Sequence, residues 1–139
     1  MQRAVGAYAQ ADMLLDTDFL IDLSGNRNLR RKEAAIGFLQ RYLYRALFIS
    51  LIAWSEFAEG ASSREAITKD LAGFTCLLPT EETAWQASRI ARQLKRTGLH
   101  IGDNDVWQAA IALEYGLPIV TGNIRHFQRV PLLVVHSHR

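Results

Sequence analysis

Asp16, Glu56, Asp105 and Asn123 lie far apart in the chain, yet each falls where an α/β fold gathers polar groups. Asp16 closes the short apolar run that starts at Met13. Glu56 lies on a helical segment after the apolar run Ala46–Ser50. Asp105 stands in a first helical turn, and Asn123 follows the apolar run Pro118–Gly122. Several oxygen donors brought to one crevice repel each other unless a cation offsets their charge, and oxygen-only coordination suits Mg²⁺ or Mn²⁺. Such a cation binds a phosphate oxygen, activates water and stabilises a leaving oxygen, so chemistry at phosphate is the expectation. The chain has no His and carboxylate pair at zinc-ligand spacing, no P-loop and no G-x-S-x-G elbow.

The stretch Ile101–Asn123 must position much of this site. Asp103 or Asn104 is a natural N-cap, which places Asp105 in the first turn, where free N–H groups and the helix dipole favour an ionised carboxylate. Taken alone, Asp105 is better explained as an acid that only stabilises the helix start. Val106, Ala109, Ala110 and Leu113 follow at i, i+3, i+4 and i+7 spacing, and Gly116 then Pro118 end the helix. Pro118–Gly122 reads as a buried strand. In open α/β folds chemistry sits beyond the carboxyl ends of parallel strands, so Thr121 and Asn123 are expected to share a crevice with Asp105.

Met13–Thr17 reads as a strand running into an acidic turn, followed by a short helix through Phe19, Leu20, Ile21 and Leu23 that stops at Ser24-Gly25-Asn26. Asp18 is expected to cap that helix. Arg27, Arg30, Arg31 and Lys32 then precede a helix whose face is Ala35, Phe38, Leu39 and Tyr42, with Arg41 and Arg45 extending the charge. This basic run is either a solvated face or a contact to phosphate. Ala46–Ser50 is the second strand, leading into a helix on which Ile52 and Glu56 share a face. Glu56 either joins Glu59 in solvent or points inward, where a lone carboxylate needs a partner. Ser62-Ser63 cap a helix over Arg64–Leu71, and Phe74–Leu78 is an edge strand. Thr80 caps a helix with Ala84, Ala87, Ala91 and Leu94 as its core face and a basic cluster near its end. Leu132–Val135 is the closing strand. Strands alternating with helices predict a mostly parallel sheet of four or five strands covered on both faces.

At 139 residues and 49% hydrophobic composition, one domain with one sizeable core is expected. A single cysteine, Cys76, leaves no intramolecular disulfide and fits a reducing compartment. No apolar run reaches the roughly 18 residues of a membrane span, and the N-terminus is a poor signal peptide, so a cytoplasmic protein is expected. The net charge is +2, but with Asp16, Glu56 and Asp105 drawn into one pocket, 16 basic residues face the 11 remaining acids, leaving +5 on the rest of the molecule. That distribution suits an anionic polymer lying over a small acidic site.

The segments MLLDTDFLIDL, LFISLIAWSEFAEGA, IGDNDVWQAAIALEYGLPIVTGN and NIRHFQRVPLLV, in this order and spacing, resemble the PIN-domain endoribonucleases of the VapC toxin type. The resemblance runs from Met13 to the C-terminus and implies a PIN-like α/β fold over residues 13–139, with 1–12 as an N-terminal extension. It implies that Asp16, Glu56 and Asp105 are the first three acidic ligands of Mg²⁺ or Mn²⁺ and that Asp103 is a neighbour. The family's fourth acid stands where this chain has Asn123 or His126. Thr121, and with it Thr17, resembles hydroxyl positions that orient the metal or its water. Arg125 is a candidate phosphate contact, and Arg27 and Arg30 of the basic run are further candidate RNA-binding residues. A small VapB-like antitoxin, an RNA substrate and a toxin homodimer are the implied partners. Two other readings are open. Asp16-Thr17-Asp18 mimics the D-x-D of haloacid-dehalogenase-like phosphatases, which also need a lysine near phosphate, and a PIN-like module could bind RNA or protein without turnover.

Overall fold

The computed structural model describes residues 12–42 and 46–139. Arg45 and the extension expected over residues 1–12, apart from Asp12, lie outside the described residues. Five strands, β1 (Met13–Leu15), β2 (Leu47–Ser50), β3 (Thr75–Leu77), β4 (Ile119–Thr121) and β5 (Val135–Ser137), form one sheet in the order β3-β2-β1-β4-β5. Every pairing among them is parallel. The connecting helices are α1 (Thr17–Ser24), α2 (Leu29–Arg41), α3 (Leu51–Ala58), α4 (Arg64–Asp70), α5 (Glu81–Arg96), α6 (Asp103–Tyr115) and α7 (Ile124–Phe127). No described helix is long and apolar enough to cross a membrane.

The central strands β1 and β4 are buried on both faces, which is why they read as short continuous apolar runs. Their alternation sorts the core into two. Leu14 and Ile119 join Ala87, Ile90, Leu94, Ala109, Ala110 and Phe127 on the face covered by α5, α6 and α7. Met13, Leu15, Ile49 and Val120 join Phe19, Leu20, Ala35, Phe38, Ala53 and Ile67 on the face covered by α1 to α4. Ala109, Ala110 and Ala112 are fully buried, and these small side chains let α6 lie close to its neighbours. The chain builds β2 and β3 to one side of β1 and β4 and β5 to the other, so the strand order reverses between β1 and β4. A crevice opens at such a reversal, beyond the carboxyl ends of the two strands.

Several local expectations shift. Asp16, not Asp18, is the N-cap of α1, its side chain accepting from the Thr17 backbone N–H. Neither Asp103 nor Asn104 caps α6: the N-cap is Gly102, with no side-chain bond, and both residues fall inside the first turn. Thr80 does cap α5, through a reciprocal capping box with Thr83. The buried stripe of α5 is Thr83, Ala87, Ile90 and Leu94, turned from the alanine stripe expected, because Glu114 of α6 satisfies the Thr83 hydroxyl and so permits its burial. The closing strand lies at Val135–Ser137 instead of Leu132–Val135. Register decides this, since Ile119, Val120 and Thr121 pair with Val135, His136 and Ser137, while Leu132 is 94% exposed at φ +70° in the preceding turn.

Gly116 ends α6 in the left-handed region (φ 66°, ψ 32°) with nothing within 4 Å of where a Cβ would stand. Gly116→Ala therefore carries a purely conformational penalty, expected to lower the unfolding free energy by about 1 kcal/mol in denaturant titration. An unchanged midpoint would show that the turn relaxes.

Candidate active site

Each of the three central strands ends in a polar residue at the same edge of the sheet: Asp16 just after β1, Ser50 at the end of β2 and Thr121 at the end of β4. Asp16 is only 5% exposed. Its Oδ1 accepts from the Thr17 N–H at 2.7 Å and from Gln108 Nε2 at 2.8 Å, and its Oδ2 accepts from Thr121 Oγ1 at 2.8 Å. One carboxylate is thus held by α1, α6 and β4 together. Thr121 in turn accepts from the Asn123 N–H at 2.8 Å.

Asp18 turns to the same edge, where its Oδ2 accepts from the Gly122 N–H at 2.9 Å. Thr121 Oγ1 also lies 3.4 Å from Asp18 Oδ2, but a hydroxyl has one proton, and the shorter bond to Asp16 takes it. Glu56 does point inward. Its Oε1 accepts from the Thr17 hydroxyl and its Oε2 from Asn104 Nδ2 at 3.1 Å, which supplies the partner that an inward carboxylate requires. Asp105, half-buried, has Oδ2 3.4 Å from His126 Nδ1. Asp103 is 83% exposed beside His100 on the outside of the helix start.

Gln108 is the residue that sequence reasoning missed. It is fully buried and reaches Asp16 at 2.8 Å, with Thr17 and Glu56 at 3.4 and 3.5 Å from the same amide nitrogen. Ser50, the N-cap of α3, donates to its Oε1 at 3.4 Å and so turns the amide with its N–H₂ toward the acids. The signal was present: Gln108 lies three residues after Asp105 in an otherwise apolar stretch, Val106 to Leu113.

Electrostatics follow from this burial. The Asp16 carboxyl is pushed up to about 7, first by desolvation and then by the charge of Asp18, with Asp105 adding to the rise and the Thr121 hydrogen bond opposing it. Burial also lifts Asp105, with Glu56 and Asp18 contributing, against a lowering by His126, so the helix start does not hold it as low as expected. As the side chains stand, no three His, Cys, Asp or Glu among the described residues close on a single point. The carboxylates line one crevice, and Asp105 is turned toward His126 at its far side.

The remaining expected residues stand apart. Asn123 is half-buried at the start of α7, and only its backbone is hydrogen-bonded among the described residues. Arg125, Arg27 and Arg30 are exposed, with no hydrogen bond or ion pair to the cluster among the described residues. The lysine that phosphatase chemistry needs is also missing from the crevice: Lys32 Nζ donates to the Leu23 carbonyl, and Lys69 and Lys95 are exposed on their helices.

A family model of the PIN domain matches residues 13–133. The chain belongs to the PIN-domain family. It is 31% identical over 126 residues to a Ribonuclease VapC1 of Methanocaldococcus jannaschii, spanning 87% of this chain and 82% of that one. Among solved structures it resembles VapBC-1 from nontypeable Haemophilus influenzae, with a TM-score of 0.74 and 30% identity over 91% of this chain and 98% of that one. A toxin-antitoxin complex from Klebsiella pneumoniae aligns with a TM-score of 0.68 and 25% identity over 88% and 95% of the two chains. In this PIN domain the acidic crevice sits at the β1/β4 reversal that the strand order creates.

An acid whose pKa is raised on folding binds a proton more readily folded than unfolded. The Asp16 charge therefore destabilises the cation-free fold above about pH 7, and that penalty fades as pH falls toward 4. Asp16→Asn keeps an oxygen for Thr17 and Gln108. Melted in chelator, this variant should be more stable than the parent at pH 8 and equal to it near pH 4. Lower stability of the variant at both pH values would overturn this account of Asp16.

Proposed function

We propose that this chain is a metal-dependent endoribonuclease toxin that cleaves RNA phosphodiester bonds and is held in check by a small antitoxin protein. The observation that carries the reading is the joining of Asp16 and Glu56 through Gln108 and Thr17, with Asp105 near enough to raise the Asp16 carboxyl by its charge, in a chain similar over most of its length to a Ribonuclease VapC1. The antitoxin enters through the likeness to VapBC-1 and to a toxin-antitoxin complex.

The residues fit a hard divalent cation. The acids at the crevice offer carboxylate oxygens, and Asp16 rises to about 7 first through burial and then through the charges of Asp18 and Asp105, surroundings in which a cation would offset the charge and oxygen donors suit Mg²⁺ or Mn²⁺. Asp16, Glu56 and Asp105 would hold the ion, with Asn123 at the edge of the crevice. When bound, the cation polarises a phosphate oxygen and lowers the pKa of water. The protein's own part is orientation. Gln108 and Thr121 fix both oxygens of Asp16, Thr17 and Asn104 fix those of Glu56, and His126 steers Asp105. Burial behind Asp16 leaves the open side of the crevice as the approach for a phosphodiester.

Purified protein incubated with total cellular RNA should produce discrete cuts in Mg²⁺ or Mn²⁺, lost in chelator and in Asp16→Asn. RNA left intact in both metals would sink the nuclease reading, and RNA bound but uncut would favour a non-catalytic module. Asp105→Asn should lose about a hundredfold or more in rate, as expected of a direct ligand, whereas Asp103→Asn stays within a few-fold. Equal losses would mean that Asp103 is the ligand. Gln108→Ala, which removes a group that orients a ligand, should cost about ten- to a hundredfold in activity or metal affinity.

A further inference from the structure

Beside the acidic crevice lies a second polar cluster that the chemistry above does not use. Asp22, at the buried side of α1, is 8% exposed, and its Oδ2 meets His138 Nε2 at 2.8 Å and Arg139 Nε at 2.9 Å. His138 is itself buried and stacks edge-on against Phe19, with ring centroids 4.7 Å apart. Burial pushes the Asp22 carboxyl up, but the hydrogen bonds and charges of Arg139 and His138 outweigh this and hold it below the usual range. A buried, ionised carboxylate therefore anchors the residues that follow β5.

Topology decides where this anchor points. β5 runs parallel to β4 with Ser137 opposite Thr121, so His138 and Arg139 emerge at the same sheet edge as Gly122 and Asn123. The Arg139 guanidinium lies directly against Gly122, where an added Cβ would fall within 2.6 Å of its Nε and NH1. Gly122 is also the residue whose N–H binds Asp18, and both Asp18 and Asp16 act on Arg139 through their charge. Only Nε is bonded to Asp22. The two terminal nitrogens have no hydrogen-bond partner among the described residues, and the side chain is 29% exposed. A guanidinium fixed at one nitrogen and open at its forked end has the geometry that phosphate takes in two parallel bonds.

We propose that Arg139 is a phosphate-binding residue that seats the RNA backbone against the Asp16 and Asp18 side of the crevice, with Asp22 and His138 as the positioning residues that hold it there. This rests on the nuclease reading for the identity of the polymer. Arg139 sets the position of the strand, and the carboxylates act on a neighbouring phosphate. Gly122 is required because any side chain there displaces the guanidinium.

The test measures binding of a fluorescein-labelled mixed-sequence oligoribonucleotide by anisotropy in Mg²⁺ over a range of salt. It uses the full chain carrying Asp16→Asn, so that the probe stays intact, with thermal melting to check folding. Adding Arg139→Met should weaken binding about tenfold, the worth of one bond to a charged group, and lower the slope of log affinity against log salt by about 0.7. Arg139→Lys should recover the slope but only part of the affinity, because a point charge replaces the fork. Gly122→Ala, which moves the guanidinium without removing charge, should repeat the loss of affinity. A folded Arg139→Met protein with unchanged affinity and slope overturns the proposal, as does a chain with no affinity for the probe. The two readings separate cleanly. If the unaltered chain cuts RNA while Arg139→Met binds normally, the phosphate contact fails alone; if binding depends on Arg139 but no RNA is cut, the nuclease reading fails alone.

Discussion

The Asp16 carboxylate, buried at the end of the central strand, is the constraint on which the rest of the site depends. A carboxylate so far removed from water is tolerated only if its oxygens are hydrogen-bonded, or if it is neutralised. Here three donors meet it: the first N–H of α1, the amide of Gln108 on α6 and the hydroxyl of Thr121 on β4. Each donor belongs to a different element. The burial that makes these donors necessary also lifts the carboxyl to about 7, with the charges of Asp18 and Asp105 adding to the rise.

The sheet supplies the frame. Its described strands are three or four residues long, and the polar residue at or just after the end of each central strand stands at the rim. Parallel pairing puts the carboxyl ends of all five strands at one edge, and the reversal of strand order between β1 and β4 leaves room there. Helix α6 serves both layers. Its alanines pack into the core, while Asp105 and Gln108, one turn apart, face the crevice from its N-terminal end. A shift of α6 against the sheet would move Asp105 and Gln108 together. The register of the fifth strand brings His138 and Arg139 to the same edge, where Asp22 of α1 meets them.

The sequence by itself determined the elements and the family. Apolar runs of strand length alternating with helical periodicity specify a parallel sheet between helix layers, because only that arrangement buries both faces of such strands. The positions of Asp16, Glu56 and Asp105 beside those elements made the acidic crevice legible, and the family model matches residues 13–133. Short-range signals held where the physics is local: Thr80 and Ser63 cap their helices, and Gly116 ends α6. Tertiary structure decided whatever depends on a partner distant in sequence. Thr83 is buried because Glu114 meets it, and Val135–Ser137 is the strand because register with β4 requires it. Asp18 is no cap because Gly122 donates to it from the far side of the crevice, Gln108 matters because Asp16 lies 92 positions away, and Arg139 is aimed because Asp22 waits beneath it. Periodicity reports which face of an element is apolar, but a buried polar group is explained only by the group that satisfies it, and here those groups come from other elements.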